Sequence, residues 1–190
     1  MPRGFQRSLS RAAMRSLGVP ASKAGLSCKV TGNGYGYAME FTMTNMKVTV
    51  TDALAYAGQQ LFDFVQGKIR IKGGTATFTF GVDTVRASTI NDSASLTWGI
   101  GSVTASSITL ATTMQNIVAV TTRTLTGVGA LPSPASAADV VAAATLDGTS
   151  TAIDLFMNFA FATNTDIDAD GVLSVNGKLI LLVENWGDNV

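Results

Sequence analysis

From residue 40 onward apolar and polar positions alternate with a period of two, the spacing of half-buried strands rather than of helices. Met46, Val48 and Val50 fall on one face, and Lys47, Thr49 and Thr51 on the other. Ile69 and Ile71 alternate with Lys68, Arg70 and Lys72; beyond Gly73 and Gly74 the series resumes as Ala76, Phe78 and Phe80 against Thr75, Thr77 and Thr79. Two readings of the glycine pair keep these apolar residues on one face. One is a two-residue hairpin turn that pairs Ile71 with Ala76; the other is a bulge inside a single long strand.

The end of the chain repeats the pattern. Leu155, Met157, Phe159 and Phe161 alternate with Asp154, Asn158 and Ala160, with Phe156 breaking the polar face. Leu173, Val175, Leu179, Leu181 and Val183 alternate with Ser174, Asn176, Lys178 and Glu184. These two strands are expected to pair with each other across residues 162–171. Ser93 to Gly99 and Ser106 to Thr113, rich in threonine and other β-formers, read as further strands. The one helix expected is short, Ala135 to Ala144, where a proline pair precedes the run and Ser136 is available as its cap. Many short strands, close turns and little helix predict an all-β chain, a jelly-roll-like β-sandwich. No fixed-period repeat points to a propeller or β-helix.

The front of the chain differs. Residues 1–29 carry Arg3, Arg7, Arg11, Arg15, Lys23 and Lys29 and no acid, and Gly18 and Pro20 break any helix begun near Arg3. Four arginines at every fourth position drift by about 40° per step in a helix, which makes one slanted basic stripe. The stretch is either a solvated terminus or an arm that orders on an acidic surface. With the irregular glycine-rich run TGNGYGY at Thr31 to Tyr37 taken as a linker, residues 1–44 form an arm and residues 45–190 the sandwich body.

Composition narrows the function. The chain has 190 residues, 46% of them apolar, which is enough for one real core. Only 14% are charged, against roughly 25% in an average soluble domain, and the 13 basic and 13 acidic residues cancel. The lone Cys28 has no partner for an intramolecular disulfide. The basic front lacks the apolar core of a secretory signal, and the aliphatic run Leu179 to Val183 is far below the ~20 residues that span a bilayer. These features predict a chain made and kept in a reducing cytosol, with no membrane partner.

With no histidine anywhere, Ser-His-Asp and Cys-His arrangements and His-ligated metals are excluded. A glycosidase needs only two carboxylates, but no pair stands out, and no enzyme activity is expected. TGNGYGY precedes no helix and lacks the ending of a phosphate loop. The basic arm offers only Phe5 for stacking on bases, so nucleic acid is not the expected partner. The run TDIDADGVL places Asp166, Asp168, Asp170 and Gly171 as an EF-hand would, yet Gly177 stands where the bidentate glutamate belongs and the flanks are strands. It reads as an acidic turn at a hairpin tip. The three aspartates are at most a weak Ca²⁺ candidate, and no cofactor is expected.

The run ASLTWGIGSVTASSITLATTM at Ala94 to Met114, the block LDGTSTAIDLFMNFAF from Leu146 and the closing NTDIDADGVLSVNGKLILLVENWGDN resemble a group of small virion proteins of tailed bacteriophages. The likeness covers roughly residues 45–189. It implies a head-decoration or cement protein: a jelly-roll virion component assembled in the host cytoplasm, whose partners are the major capsid protein and further copies of itself, by analogy as a homotrimer. Arg3, Arg7, Arg11 and Arg15 would then be the contacts to capsid carboxylates. Two other readings stay open: a low-copy tail or head-to-tail connector component, and a carbohydrate-binding β-sandwich module with Trp98 or Trp186 as its platform.

Overall fold

A computed structural model of the chain describes residues 17–32, 36–51, 54–82, 90, 94–125, 139–163, 167 and 170–187. The principal strands form nested antiparallel pairs. β3 (Gly36–Val50) pairs with β11 (Gly171–Gly187), and β4 (Tyr56–Phe64) with β10 (Asp154–Phe161). β5 (Gly67–Val82) pairs with β9 (Ala144–Gly148), and β6 (Ser95–Gly101) with β7 (Val118–Thr124). Every pair is antiparallel, and the partners are matched from the outside of the chain inwards. The chain is thus a two-stranded ribbon doubled back at β6 and β7, and rolling that ribbon up makes two sheets.

One sheet runs β3-β11-β5-β9 and the other β4-β10-β6-β7, the strand order of a jelly roll. Three short strands extend the edges. β1 (Gly18–Pro20) adds to β4, β2 (Leu26–Gly32) adds to β3, and β8 (Asp139–Val141) continues along β5 ahead of β9. The break at Ala142 between β8 and β9 lets its N–H reach Ile117 O at 2.9 Å, tying one sheet to the approach to β7.

The core lies between the sheets and is apolar throughout. Phe78 and Phe80 of β5 meet Trp98 of β6 with ring centroids 5.3 and 5.6 Å apart, and Phe80 also meets Phe159 of β10 edge-on at 5.9 Å. Phe41 of β3 meets Phe62 of β4 at 6.0 Å. Each such pair contributes about 0.5–1.5 kcal/mol beyond its buried area. The aromatic contacts therefore act as bolts between the sheets.

Inward residues of β11 stay in one phase from Leu173 to Val183, whereas both neighbouring strands change phase. β3 switches from Met39, Phe41 and Met43 to Met46, Val48 and Val50; the register slips opposite Asn176, and Asn45 takes a φ of 51°. β5 switches from Ile69 and Ile71 to Ala76, Phe78 and Phe80, with Lys72 skipped opposite the Leu182–Val183 step. The Gly73–Gly74 pair is therefore a bulge within one long strand, not a hairpin turn. It extends through φ values of 146° and 156° that favour glycine.

Several expectations are corrected. Residues 139–144 are β8 and the start of β9 rather than helix, because the chain there is drawn along the edge of β5; residues 135–138 lie outside the described residues. Ser106 to Thr113 forms no strand but a coil ending in a 3₁₀ turn, Thr112–Met114. β10 and β11 do not pair. They occupy opposite sheets, so the segment between them crosses the sandwich, with Ile167 bridging to Ile90 and buried. Residues 17–44 belong to the body: Leu17 is fully buried, and β2 and β3 flank the TGNGYGY run as paired strands, so the run spans a hairpin rather than a linker. An arm apart from the sheets can comprise only residues 1–16, which lie outside the described residues.

Gly177, in the central strand, carries a strict backbone demand. At a φ of 139°, an added Cβ would stand 2.1 Å from Thr77 O in the neighbouring strand. Gly177→Ala is expected to lose about 3 kcal/mol or more of stability in urea unfolding. Gly36→Ala, with nothing within 4 Å of the added atom, should stay within about 0.5 kcal/mol of the parent.

Candidate functional site

The outer face of the β4-β10-β6 sheet has a floor of small residues. Gly99 and Gly101 point outward from β6, Gly58 from β4 and Ala160 from β10, and a flap formed by residues 102–117 lies down on them. A Cβ on Gly101 would stand 2.1 Å from Thr113 O, and one on Gly58 2.1 Å from Thr104 Oγ1, so the flap backbone needs the first glycine and the Thr104 side chain the second. Ala105 and Leu110 of the flap pack with Ala160, Tyr56 and Met114 as a second small apolar cluster.

Asn158 of β10 fastens the flap. Its side chain is fully buried; Oδ1 accepts from Ala105 N at 2.8 Å, while Nδ2 donates to Val103 O at 2.9 Å and Met114 O at 2.8 Å. Its one acceptor and two donors are all used, as a buried amide requires. Asn116 and Gln115 stiffen the flap from within: Ser102 N donates to Asn116 Oδ1 at 3.0 Å, and Gln115 Nε2 donates to Leu110 O at 3.0 Å.

Between the flap and the segment leading into β10 lies an open cleft of about 550 Å³. Val103 and Thr113 line it on the flap side, Thr151 and Ile153 on the other, and Asp154 and Phe156 form part of its wall. Val103 is 43% exposed. Asp154 lies directly opposite Asp63 of β4, and like charges so placed repel across Cβ distances of about 5 Å. Partial burial, then the charge of Asp63, hold the Asp154 carboxyl above its ordinary range; a hydrogen bond from Gln60 works the other way and one shared with Asp63 adds to the rise.

The residues singled out by sequence are dispersed. Arg3, Arg7, Arg11 and Arg15 lie outside the described residues, as do Asp166 and Asp168, while Asp170 is exposed just ahead of β11. Among the described residues no three of His, Cys, Asp or Glu are placed to hold a metal. Trp98 is fully buried in the core, its indole N–H without a partner, and is no binding platform. Trp186 is 42% exposed beside the Arg70 guanidinium, which stands 5.4 Å from its ring centre, and its Nε1 reaches Glu184 at 3.4 Å. Cys28 is half-buried against the core, and burial pushes its thiol up to about 12, so it is not a reactive thiolate.

Sequence periodicity placed Asn158 on the polar face of β10 and gave no sign that it was buried. The available clue was Trp98-Gly99-Ile100-Gly101, where glycine takes both outward positions of a strand. Such a pattern marks close approach by another backbone.

Two outcomes follow. Asn158→Ala strands one N–H and two carbonyls and is expected to cost about 3 kcal/mol, with amide exchange accelerated over residues 102–116 before it accelerates in the core strands. Because the folded-state pKa of Asp154 is raised from its ordinary 3.8, the folded form holds a proton that the unfolded chain releases. Its contribution to stability is full below that value and is lost as pH rises through the folded pKa. In a chain lacking residues 1–16, melting midpoints measured from about pH 3.5 to about pH 7 should therefore fall relative to the same chain carrying Asp154→Asn.

Compared with protein-family models, curated proteins and solved structures, the chain matches none.

Proposed function

We propose that this chain is a virion structural protein of a tailed phage, a head-decoration or cement protein that binds the capsid shell and stabilises it. The observation that carries the reading is the ribbon-derived strand order β3-β11-β5-β9 over β4-β10-β6-β7, an architecture recurrent in viral capsid proteins. The segments that resemble phage virion proteins occupy places that determine this fold. WGIGS is β6, with Trp98 among the core aromatics and its glycines under the flap; DGTSTA runs from the end of β9 along one wall of the cleft; the closing NWG ends β11.

A protein of this kind acts by binding the assembled shell in preference to its parts, and so stabilises it by mass action. Low charge suits surfaces that are covered by neighbours. The arginines at 3, 7, 11 and 15 supply bidentate donors for carboxylates of the major capsid protein, and copies associate as a trimer by analogy with the family. A second reading, a carbohydrate-binding module, draws support from exposed Trp186 beside Arg70, since jelly rolls also serve as lectins.

The test is the copy number of the chain in purified particles from its source, by quantitative mass spectrometry against the most abundant capsid polypeptide. Copies in simple ratio to the capsid protein are expected, and a chain lacking residues 1–16 should then fail to bind particles. A handful of copies would move the chain to the tail or neck; absence would overturn the virion reading in favour of the sugar-binding one.

A further inference from the structure

The edge strand β1, the carboxylate pair and the cleft lie at one end of one sheet. Val19 of β1 lies opposite Asp63 of β4, which lies opposite Asp154 of β10, so the three form a row across adjacent strands. With strands about 4.8 Å apart, the row is about 10 Å wide. β1 runs antiparallel to β4, so the chain upstream of Gly18 leaves past Phe64. There Val65 N donates to Leu17 O at 3.0 Å, and Phe64 N donates to Ile153 O at 3.2 Å. The root of the arm and the wall of the cleft are thus fastened to consecutive residues, Val65 just beyond β4 and Phe64 at its end.

We propose that the cleft between the flap and Asp154 is the docking site of the chain's own residues 1–16, with arginines of the arm on Asp63 and Asp154. Charge complementarity and reach select this occupant. Residues 1–16 carry four arginines and no acid, and Arg15 stands only two residues before Leu17. Sixteen residues reach at most about 53 Å when extended, many times the width of the row. A proton shared by Asp154 and Asp63 relieves their repulsion at low pH, and once both are ionised a guanidinium fork can pair with carboxylates on two sides. Phe5 and Leu9 are one helical turn apart and lie opposite the arginine stripe if that segment is helical. They suit the apolar lining that Val103, Ile153 and Phe156 provide.

The inference concerns the free protein and does not rest on the capsid reading. Where both hold, the arm exchanges its own carboxylates for those of a shell.

The experiment is limited trypsin digestion of the full chain, with mass-spectrometric timing of cleavage after Arg11 and Arg15. Slow cleavage is expected in the native chain, and acceleration by about tenfold or more in the near-isosteric double variant D63N/D154N, since cleavage tracks the undocked population. Intact near-ultraviolet circular dichroism from buried Trp98 would show that the variant's body is folded. The native chain in about 0.5 M salt offers the same release without any substitution, because screening weakens exposed pairs. Equal cleavage rates in native and variant chains, or no response of the native chain to salt, would overturn the proposal. Protection that fades on dilution would also overturn it, by assigning the cleft to the arm of a second copy.

Discussion

The pairing of β11 along both of its edges is the constraint from which most of the fold follows. Its 17 residues lie between β3 and β5, strands from the opposite half of the chain. The sheet cannot close until the end of the sequence returns to its beginning, and folding with so many distant contacts is slow for its size. Because the inward row from Leu173 to Val183 keeps one phase, any phase change must be absorbed by its neighbours. The bulges at Asn45 and Lys72 are those adjustments, and Gly177 is placed where the bulge of β3 meets the central strand.

The same pairing explains why local sequence revealed strands but misassigned partners. Alternation over Leu155 to Phe161 and Leu173 to Val183 marks two half-buried strands, and both exist. Nothing within them says that they lie in opposite sheets, since every partner strand stands dozens of residues or more upstream. The all-β class and the sandwich were legible for that reason, whereas the connection across residues 162–170 was not. The run 139–144 misled in another way. Alanine-rich sequence behind two prolines favours helix locally, but pairing along β5 supplies hydrogen bonds that intrinsic propensity does not outweigh. β1 and β2 were hidden by the same basic residues that made the front of the chain look like an arm: Lys29 is a β2 residue whose neighbour across the sheet is Glu40.

The two outer faces of the sandwich are finished by different means. On the β3-β11-β5 side, lysines and acids from adjacent strands pair at the surface: Lys178 with Glu40 at 2.6 Å, Lys72 with Glu184 at 3.0 Å, Lys68 with Asp147 at 3.8 Å. Such exposed pairs add little stability, but they offset three of the lysines on the face that carries the exposed Leu182 and Trp186. On the other side the flap covers the glycine floor of the sheet, and a short stretch near β1 is left uncovered and acidic.

Why the covering stops where it does can be read along β10. Its outward residues are, from the far end, Ala160, Asn158, Phe156 and Asp154. Ala160 is small enough to sit under Ala105 and Leu110, and Asn158 holds the flap by three hydrogen bonds. Phe156 is the first large side chain in the row; it lies opposite Gly101, where the flap begins, and together with Val103 and Thr113 it borders the cleft. A flap pressed flat against glycine and alanine has no room for a phenyl ring, so the chain rises there and leaves the gap. Asp154, one step further on, is left between the apolar wall and Asp63. The residue that interrupts the polar alternation of the strand thus accounts for an uncovered acidic place on that face, beside the root of the chain's most basic segment.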